Sequence, residues 1–220
     1  MRRRRANVAI GAGGRRLMDL TLREAVKAGL RGAAHVLVAP FVVSFAIRAR
    51  LLDPDRALMA STQLLALVPG LPGQYLRRAF LQHAIAGCHP SVVVEWGTTL
   101  SRAGACLEKN VYIGPGCHLG LVHIEAEALI AAGVHIPSGG STHGIDDATL
   151  PIREQPGEER VVRVGAGAWI GSTAVVMADV GAATVVGAGS VVTRPLPASV
   201  VAAGAPARVL RSRVAEPRAV

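Results

Sequence analysis

The sequence predicts an all-β solenoid, a β-helix of about five coils set between an N-terminal helical region and a short helical tail. Three observations predict it. Aliphatic residues recur every six positions at Val164, Ile170 and Val176, then after a shorter step at Val180, Val186 and Val192. Small residues fill the intervals, with Gly often directly after the aliphatic one. The chain is also 50% hydrophobic but only 3% aromatic, as a narrow interior built from Val, Ile, Leu and Ala requires. A six-residue period fits neither an amphipathic helix nor an alternating hairpin strand. Each hexad gives a short strand and a tight turn, and Gly and Ala suit turns where bulkier groups clash or resist positive φ.

The same beat runs back to about Val92. Inward positions fall at Val94, Leu100, Leu107, Ile113, Leu119, Ile124, Ile130 and Ile136, giving 14 hexads with the six from Val164 on. Two steps depart from six, Leu100 to Leu107 being seven and Leu119 to Ile124 five. The coil domain is thus expected over residues 91–195, interrupted by an excursion at 137–163.

Ahead of it lie a basic start at 1–16, expected to be disordered, and a helical region at 17–90. Residues 1–50 hold 11 Lys and Arg against 2 acids, whereas residues 51–220 balance at 13 of each. No aromatic-studded basic face accompanies the charge, so nucleic acid is not an expected partner. The run at residues 11–14 lacks the strand and βαβ context of a dinucleotide loop. Residues 20–30 read as a short basic helix. The apolar run at 33–47 is shorter than the ~20 residues of a spanning helix and lies too far in for a secretion signal. It is either a helix packed on the protein or on a partner subunit, or an interfacial anchor facing anionic lipid. A second helical stretch at 53–82 is broken by Pro69-Gly70-Leu71-Pro72-Gly73. Arg77 and Arg78 then read as solvated charges or as ligands of an anionic substrate. Cys88, Cys106 and Cys117 form neither a metal spacing nor an even disulfide set, which points to a reduced, cytoplasmic compartment.

The excursion begins Pro-Ser-Gly-Gly-Ser-Thr-His-Gly-Ile-Asp-Asp. Long departures from a compact scaffold are commonly functional, and this one carries a single histidine, His143. The tail at 196–220 leaves the coil through Pro195-Leu196-Pro197 and Gly204-Ala205-Pro206-Ala207-Arg208.

Four features together resemble the hexapeptide-repeat acyltransferases, the left-handed parallel β-helix family. They are Ala168-Trp169-Ile170-Gly171-Ser172, the run Val186-Gly187-Ala188-Gly189-Ser190-Val191-Val192-Thr193-Arg194, the run Ala203-Gly204-Ala205-Pro206-Ala207-Arg208-Val209-Leu210, and the histidine-bearing loop. The resemblance spans roughly residues 92–213 and is nearest to the O-acetyltransferases of sugars, polysaccharides and some natural products. It implies a homotrimer that uses acetyl-CoA as co-substrate, with no metal and with active sites in clefts between prisms. It implies His143 as general base, taking the proton of an acceptor hydroxyl during direct attack on the thioester. It further implies that Ser172 and Ala188 bind the pantetheine amides and that Thr193 and Arg194 lie towards the nucleotide. Arg208 and Arg211 would sit near the phosphates, which guanidinium groups bind bidentately. Trp169 lines that groove or serves packing or the trimer. The short step from Val176 to Val180 departs from the common form. Asp146 and Asp147 read more simply as a solvated loop pair than as the acid with which some relatives hold an acceptor.

Two other readings share the scaffold. The γ-class carbonic anhydrases bind metal through three histidines between subunits, and His118 and His123 have their spacing, with His83 upstream. The phase of the coils opposes this, since such ligands would fall near Pro115 and Gly120. A catalytically silent trimeric scaffold is the third reading, which the presence of His143 opposes.

Overall fold

All 14 predicted inward aliphatics are buried, none more than 2% exposed. The computed structural model describes residues 6–214, with side chains from residue 25 on. Its coils stack into three parallel faces. The first holds Gly87–Cys88, Cys106–Leu107, Val122–Ile124 and Val162–Val164, continued by bridges through Val180 to Leu196. On the second lie Val93–Val94, Tyr112–Ile113, Leu129–Ile130, Trp169–Ile170, Val185–Val186 and Val200–Gly204. The third holds Thr99–Leu100, His118–Leu119, His135–Ile136, Val175–Val176 and Val191–Val192.

This is a left-handed β-helix of about six turns rather than five. The difference lies at the ends, where Cys88 and Leu196 extend the first-face inward stack in both directions and Ala202 extends that of the second face. None of these continues the aliphatic beat visibly: one is a half-buried thiol, one follows a four-residue step, and one is a small methyl group. The short step from Val176 to Val180 recurs between Val192 and Leu196, and both late residues make single bridges instead of strands.

Corners are tight because successive coils nearly touch. A Cβ at Gly171 would come 2.5 Å from the backbone nitrogen of Ala188 on the next coil. Left-handed corner residues are not all glycine, however, since Asn110, Glu127, Thr173, Ala183 and Ser199 also adopt positive φ. Stacking onto neighbouring coils holds them in a conformation that costs ~1–2 kcal/mol each.

Three helices precede the coils: α1 (Ala6–Leu51), α2 (Pro54–Ala66) and α3 (Gly70–Ala84). α1 overturns three expectations, one being that its apolar stretch is too short to span a membrane: Ala25–Leu51, 27 residues, is long and apolar enough by length and composition alone. Residues 6–16 are helical rather than disordered, while residues 1–5 lie outside the described residues, and the two helices predicted around 20–47 are one. α2 starts where the sequence says it should, with Asp53 accepting from the Arg56 N–H at 2.9 Å and Pro54 in the first turn. The Pro-Gly segment breaks the second helical stretch but itself begins α3. Arg77 is neither a solvated charge nor a substrate ligand. It is 2% exposed and donates to the carbonyls of Leu65 and Val68 at the end of α2, at 3.0 and 2.7 Å, and to Val94 of the second face at 2.9 Å. A guanidinium satisfies helix-end carbonyls and complements the helix dipole. Burial lowers its pKa, with Glu95 opposing that shift.

The predicted helical tail is instead a β-hairpin. Val200–Gly204 pairs antiparallel with Ala207–Ser212 across a turn containing the cis Ala205–Pro206 bond. The unpaired edge of the last second-face strand offers this segment the hydrogen bonds of a ladder.

Ile130, fully buried between Ile113 and Ile170, tests the core. Ile130→Ala should cost ~2–5 kcal/mol in urea unfolding, while Leu129→Ala, at its outward neighbour, should change stability by less than ~0.5 kcal/mol.

Candidate active site

The excursion leaves the third face after Ile136 and rejoins the first at Val162. It spans residues 137–161, slightly less than predicted, because Val162 and Arg163 already pair with Val122 and His123. Ser138 fixes its root: its buried hydroxyl accepts from the Leu121 N–H at 3.0 Å, and its carbonyl accepts from the Arg160 N–H at 2.8 Å. Arg160 in turn donates to the Met177 carbonyl at 3.1 Å and lies 3.7 Å from Asp179. Arg102 binds Glu159 through both carboxylate oxygens and stands 3.6 Å from Asp55 of α2, tying the returning arm to the helices. That guanidinium holds the Glu159 carboxyl below its ordinary pKa.

Inside the loop, Gln155 is the organiser that the sequence did not reveal. It is 7% exposed, accepts from the Asp147 N–H at 3.1 Å, and donates to the carbonyls of Asp147 and Leu150 at 2.7 and 3.0 Å. Asp147 accepts from the N–H and hydroxyl of Thr149 at 2.8 and 2.6 Å, and these bonds lower its pKa. It therefore shapes the loop, as its ordinary reading implied.

His143 stands where the two arms meet. A Cβ at Gly144 would lie 2.6 Å from the Pro156 carbonyl oxygen, and one at Gly157 would lie 2.2 Å from that of Thr142. Only glycine lets the arms close on either side of the histidine. His143 itself is exposed and makes no side-chain hydrogen bond among the described residues. An imidazole held by its backbone and open to solvent is free to meet a hydroxyl.

On the third face Thr99, His118 and His135 stack in register as a polar row. The Thr99 hydroxyl lies 2.8 Å from His118 Nδ1, and the two imidazoles meet edge to face at 5.0 Å. Each residue directly precedes an inward aliphatic, Leu100, Leu119 or Ile136, which is the signal that locates it. Burial, then the charges of His135 and Arg102, lower the His118 pKa and favour its neutral form. Burial also raises the thiols, Cys88 to about 12, so none is poised as a nucleophile.

The residues assigned to CoA divide into two groups. Ser172 and Ala188 stack on successive corners between the second and third faces, where the Gly189 N–H donates to the Ser172 carbonyl at 2.8 Å. Ala188 is exposed, and its own N–H and C=O have no partner among the described residues. Trp169, half exposed, faces outward on the second face in register with Val185, Val201 and Arg211. Arg208 lies opposite Ala203 at the same edge. Thr193 and Arg194 are exposed at the other edge of the third face, one coil beyond the Met177 that anchors the His143 loop. One chain thus places its loop histidine and its Ser172–Ala188 corners on different edges.

The three histidines of the metal reading do not converge within the chain. His83 on α3 pairs with His35, its Nε2 3.4 Å from Nδ1. His118 is on the third face, while His123 on the first binds Glu108 at 2.7 Å and Arg163 at 2.8 Å.

With this geometry in view, the chain was compared with known proteins. No protein-family model matches it. It is 28% identical over 163 residues to the galactoside O-acetyltransferase of Escherichia coli K12, covering 64% of this chain and 80% of that one. The chain is similar to sugar O-acetyltransferases. Among solved structures, a maltose O-acetyltransferase of Clostridium difficile 630 superposes with a TM-score of 0.62 at 23% identity, covering 74% of this chain and 88% of that one. A galactoside acetyltransferase in complex with coenzyme A gives 0.53 at 23% identity, covering 77% and 91%. These likenesses match the fold and the family resemblance carried by the motifs.

His118 offers a pH test. Its native pKa lies below the ordinary 6.5, so the unfolded chain takes up this proton first as pH falls. Stability should therefore be lost from about pH 6.5 downward, towards the lower native value. Urea unfolding of His118→Gln should show less loss between pH 7.5 and 5.5 than the parent chain.

Proposed function

We propose that the chain is an acyl-CoA-dependent O-acyltransferase, using acetyl-CoA, that acts on a hydroxyl of a sugar, glycan precursor or natural product. The observation that carries this reading is His143, exposed and unpartnered on a loop braced at root, arms and tip. Its imidazole takes the acceptor proton as the hydroxyl oxygen bonds to the thioester carbonyl carbon. The carbon–sulfur bond then breaks, and the departing thiolate recovers the proton from the imidazolium. Backbone N–H groups stabilise the transient oxyanion. The polar row Thr99, His118 and His135 offers hydrogen bonds to the rest of a hydroxyl-rich acceptor.

CoA fits the second-face edge. The free N–H and C=O of Ala188 suit a pantetheine amide, Ser172 stands beside them, and Trp169 walls the groove. Arg208 and Arg211 supply charge for the phosphates, while Thr193 and Arg194, at the opposite edge, lie towards the nucleotide end. Because the loop and the Ser172–Ala188 corners occupy different edges of one prism, the site is completed between chains, in a homotrimer. The similarity to a galactoside O-acetyltransferase supports the chemistry, and the raised thiol pKa values favour direct transfer over an acyl-enzyme. On this reading the enzyme works in the cytoplasm, peripheral to the inner membrane.

A CoA-release assay across a panel of hydroxyl acceptors tests the proposal. His143→Ala should lower turnover by a factor on the order of 10²–10⁴ with acetyl-CoA binding nearly unchanged, whereas Arg194→Ala should raise the KM for acetyl-CoA more than it lowers kcat. Full activity of His143→Ala would exclude the assignment.

A further inference from the structure

α1 is apolar on two opposite sides. Ala34, Val38 and Phe45 are buried in the common core, as the packed side of a helix should be. A second stripe of Val36, Pro40, Val43 and Ile47 faces outward, with Val36 74% exposed. Helices of soluble proteins normally turn a polar face outward. No acidic residue occurs from Ala25 to Leu52, and exposed Arg31 and Arg50 stand near the two ends of the stripe.

Two adjoining clefts open where α1 meets α3. One, of about 200 Å³, is lined apart from Tyr75 by apolar side chains, chiefly Leu30, Ala34, Leu37, Leu71, Pro72 and Leu76. The other, of about 120 Å³, is lined by Arg31, His35, Arg78 and Gln82. Tyr75 forms a wall of both, and its ring carries the Arg78 guanidinium 4.6 Å from its centroid. No carboxylate lines the cationic cleft. Arg78 spends one contact on the Val92 carbonyl at 3.3 Å, and Arg31 has no partner among the described residues.

An apolar cleft joined to a cationic one without counter-charge matches an anionic amphiphile. We propose that the α1–α3 junction binds one anionic membrane phospholipid, its acyl chain in the apolar cleft and its phosphate between Arg31, Arg78 and His35, while the outer stripe of α1 lies in the bilayer interface. The inference rests on the peripheral placement above and not on the transfer chemistry. Buried methylenes supply attraction in one cleft and phosphate–arginine bonds direct it in the other.

The test uses the full chain with two probes. The first is dioctanoyl phosphatidylglycerol below its micelle concentration, followed by native mass spectrometry. The second is vesicles of phosphatidylcholine, alone or mixed equally with phosphatidylglycerol, followed by sedimentation. The single lipid should bind once per chain and resist displacement by inorganic phosphate. Arg31→Ala and Arg78→Gln should each weaken it about five- to tenfold, and Leu71→Trp, which fills the apolar cleft from an exposed position, should abolish it. Acyl transfer and circular dichroism should stay unchanged in all three. Binding of the mixed vesicles, and not of the neutral ones, should fall in parallel. Equal binding of the single lipid by parent and variants, or of neutral and mixed vesicles by the parent, would overturn the site. Vesicle binding untouched by Leu71→Trp would overturn it too, leaving the peripheral placement standing. Single-lipid binding with no vesicle binding would overturn the peripheral placement and with it the proposal. Self-association of trimers that lipid does not relieve would assign the stripe to a second copy and overturn the proposal.

Discussion

The interior of each coil is only a few side chains wide, and everything outside it inherits that constraint. Each coil contributes one aliphatic per face, and parallel pairing stacks these residues in register, as with Ile113, Ile130 and Ile170. Outward positions are then stacked in register as well. Thr99, His118 and His135 come together because Leu100, Leu119 and Ile136 do, and Ser172 and Ala188 align because Gly171 lets the next coil sit against it. Chemistry in such a fold is confined to outward rows, corners and departures from the coil. The His143 loop is the one long departure among the described residues.

A solenoid exposes its ends, and here different devices cover them. At the start, α2 and α3 lie against the first coils. Thr62 gives its hydroxyl to the Leu100 carbonyl at 3.0 Å, the Gly97 N–H reaches the Ala66 carbonyl at 3.0 Å, and buried Arg77 joins the end of α2 to the Val94 strand. At the far end the chain doubles back as a hairpin and pairs with its own last coil strand. Asp55 and Arg102 carry the first of these connections on to Glu159, so the helices also brace the loop that bears the histidine. α1 is attached through one face only and leaves its other apolar face open.

The coils were legible because a six-residue period is enforced by burial, which tolerates little substitution. The same logic explains what was not legible. Cys88 and Ala202 occupy inward positions without being large aliphatics, so the ends of the solenoid fell outside the beat. The tail was read as helical, yet an unpaired strand edge decided for a hairpin. Arg77 looked like a surface charge because nothing local announces the Leu65, Val68 and Val94 carbonyls that converge on it. Within the loop, His143 stood out by its isolation among small residues. Gln155 did not, since its three bonds depend on a fold of the loop that no local pattern encodes. The rows of a β-helix can be read once the register is known, and the Thr99, His118 and His135 row needed only that step.

The central claim is that one chain supplies the loop histidine and another the Ser172–Ala188 corners. Mixing subunits tests this most directly. On the proposed trimeric assembly, His143→Ala chains and Ala188→Trp chains, each expected to lose activity alone, are co-assembled and assayed for acetyl-CoA-dependent transfer. In mixed trimers some sites join an intact His143 from one chain to an unblocked corner of another, so activity should return in proportion to mixing. Mixed trimers that remain inactive would contradict the account and would place the complete site within a single chain.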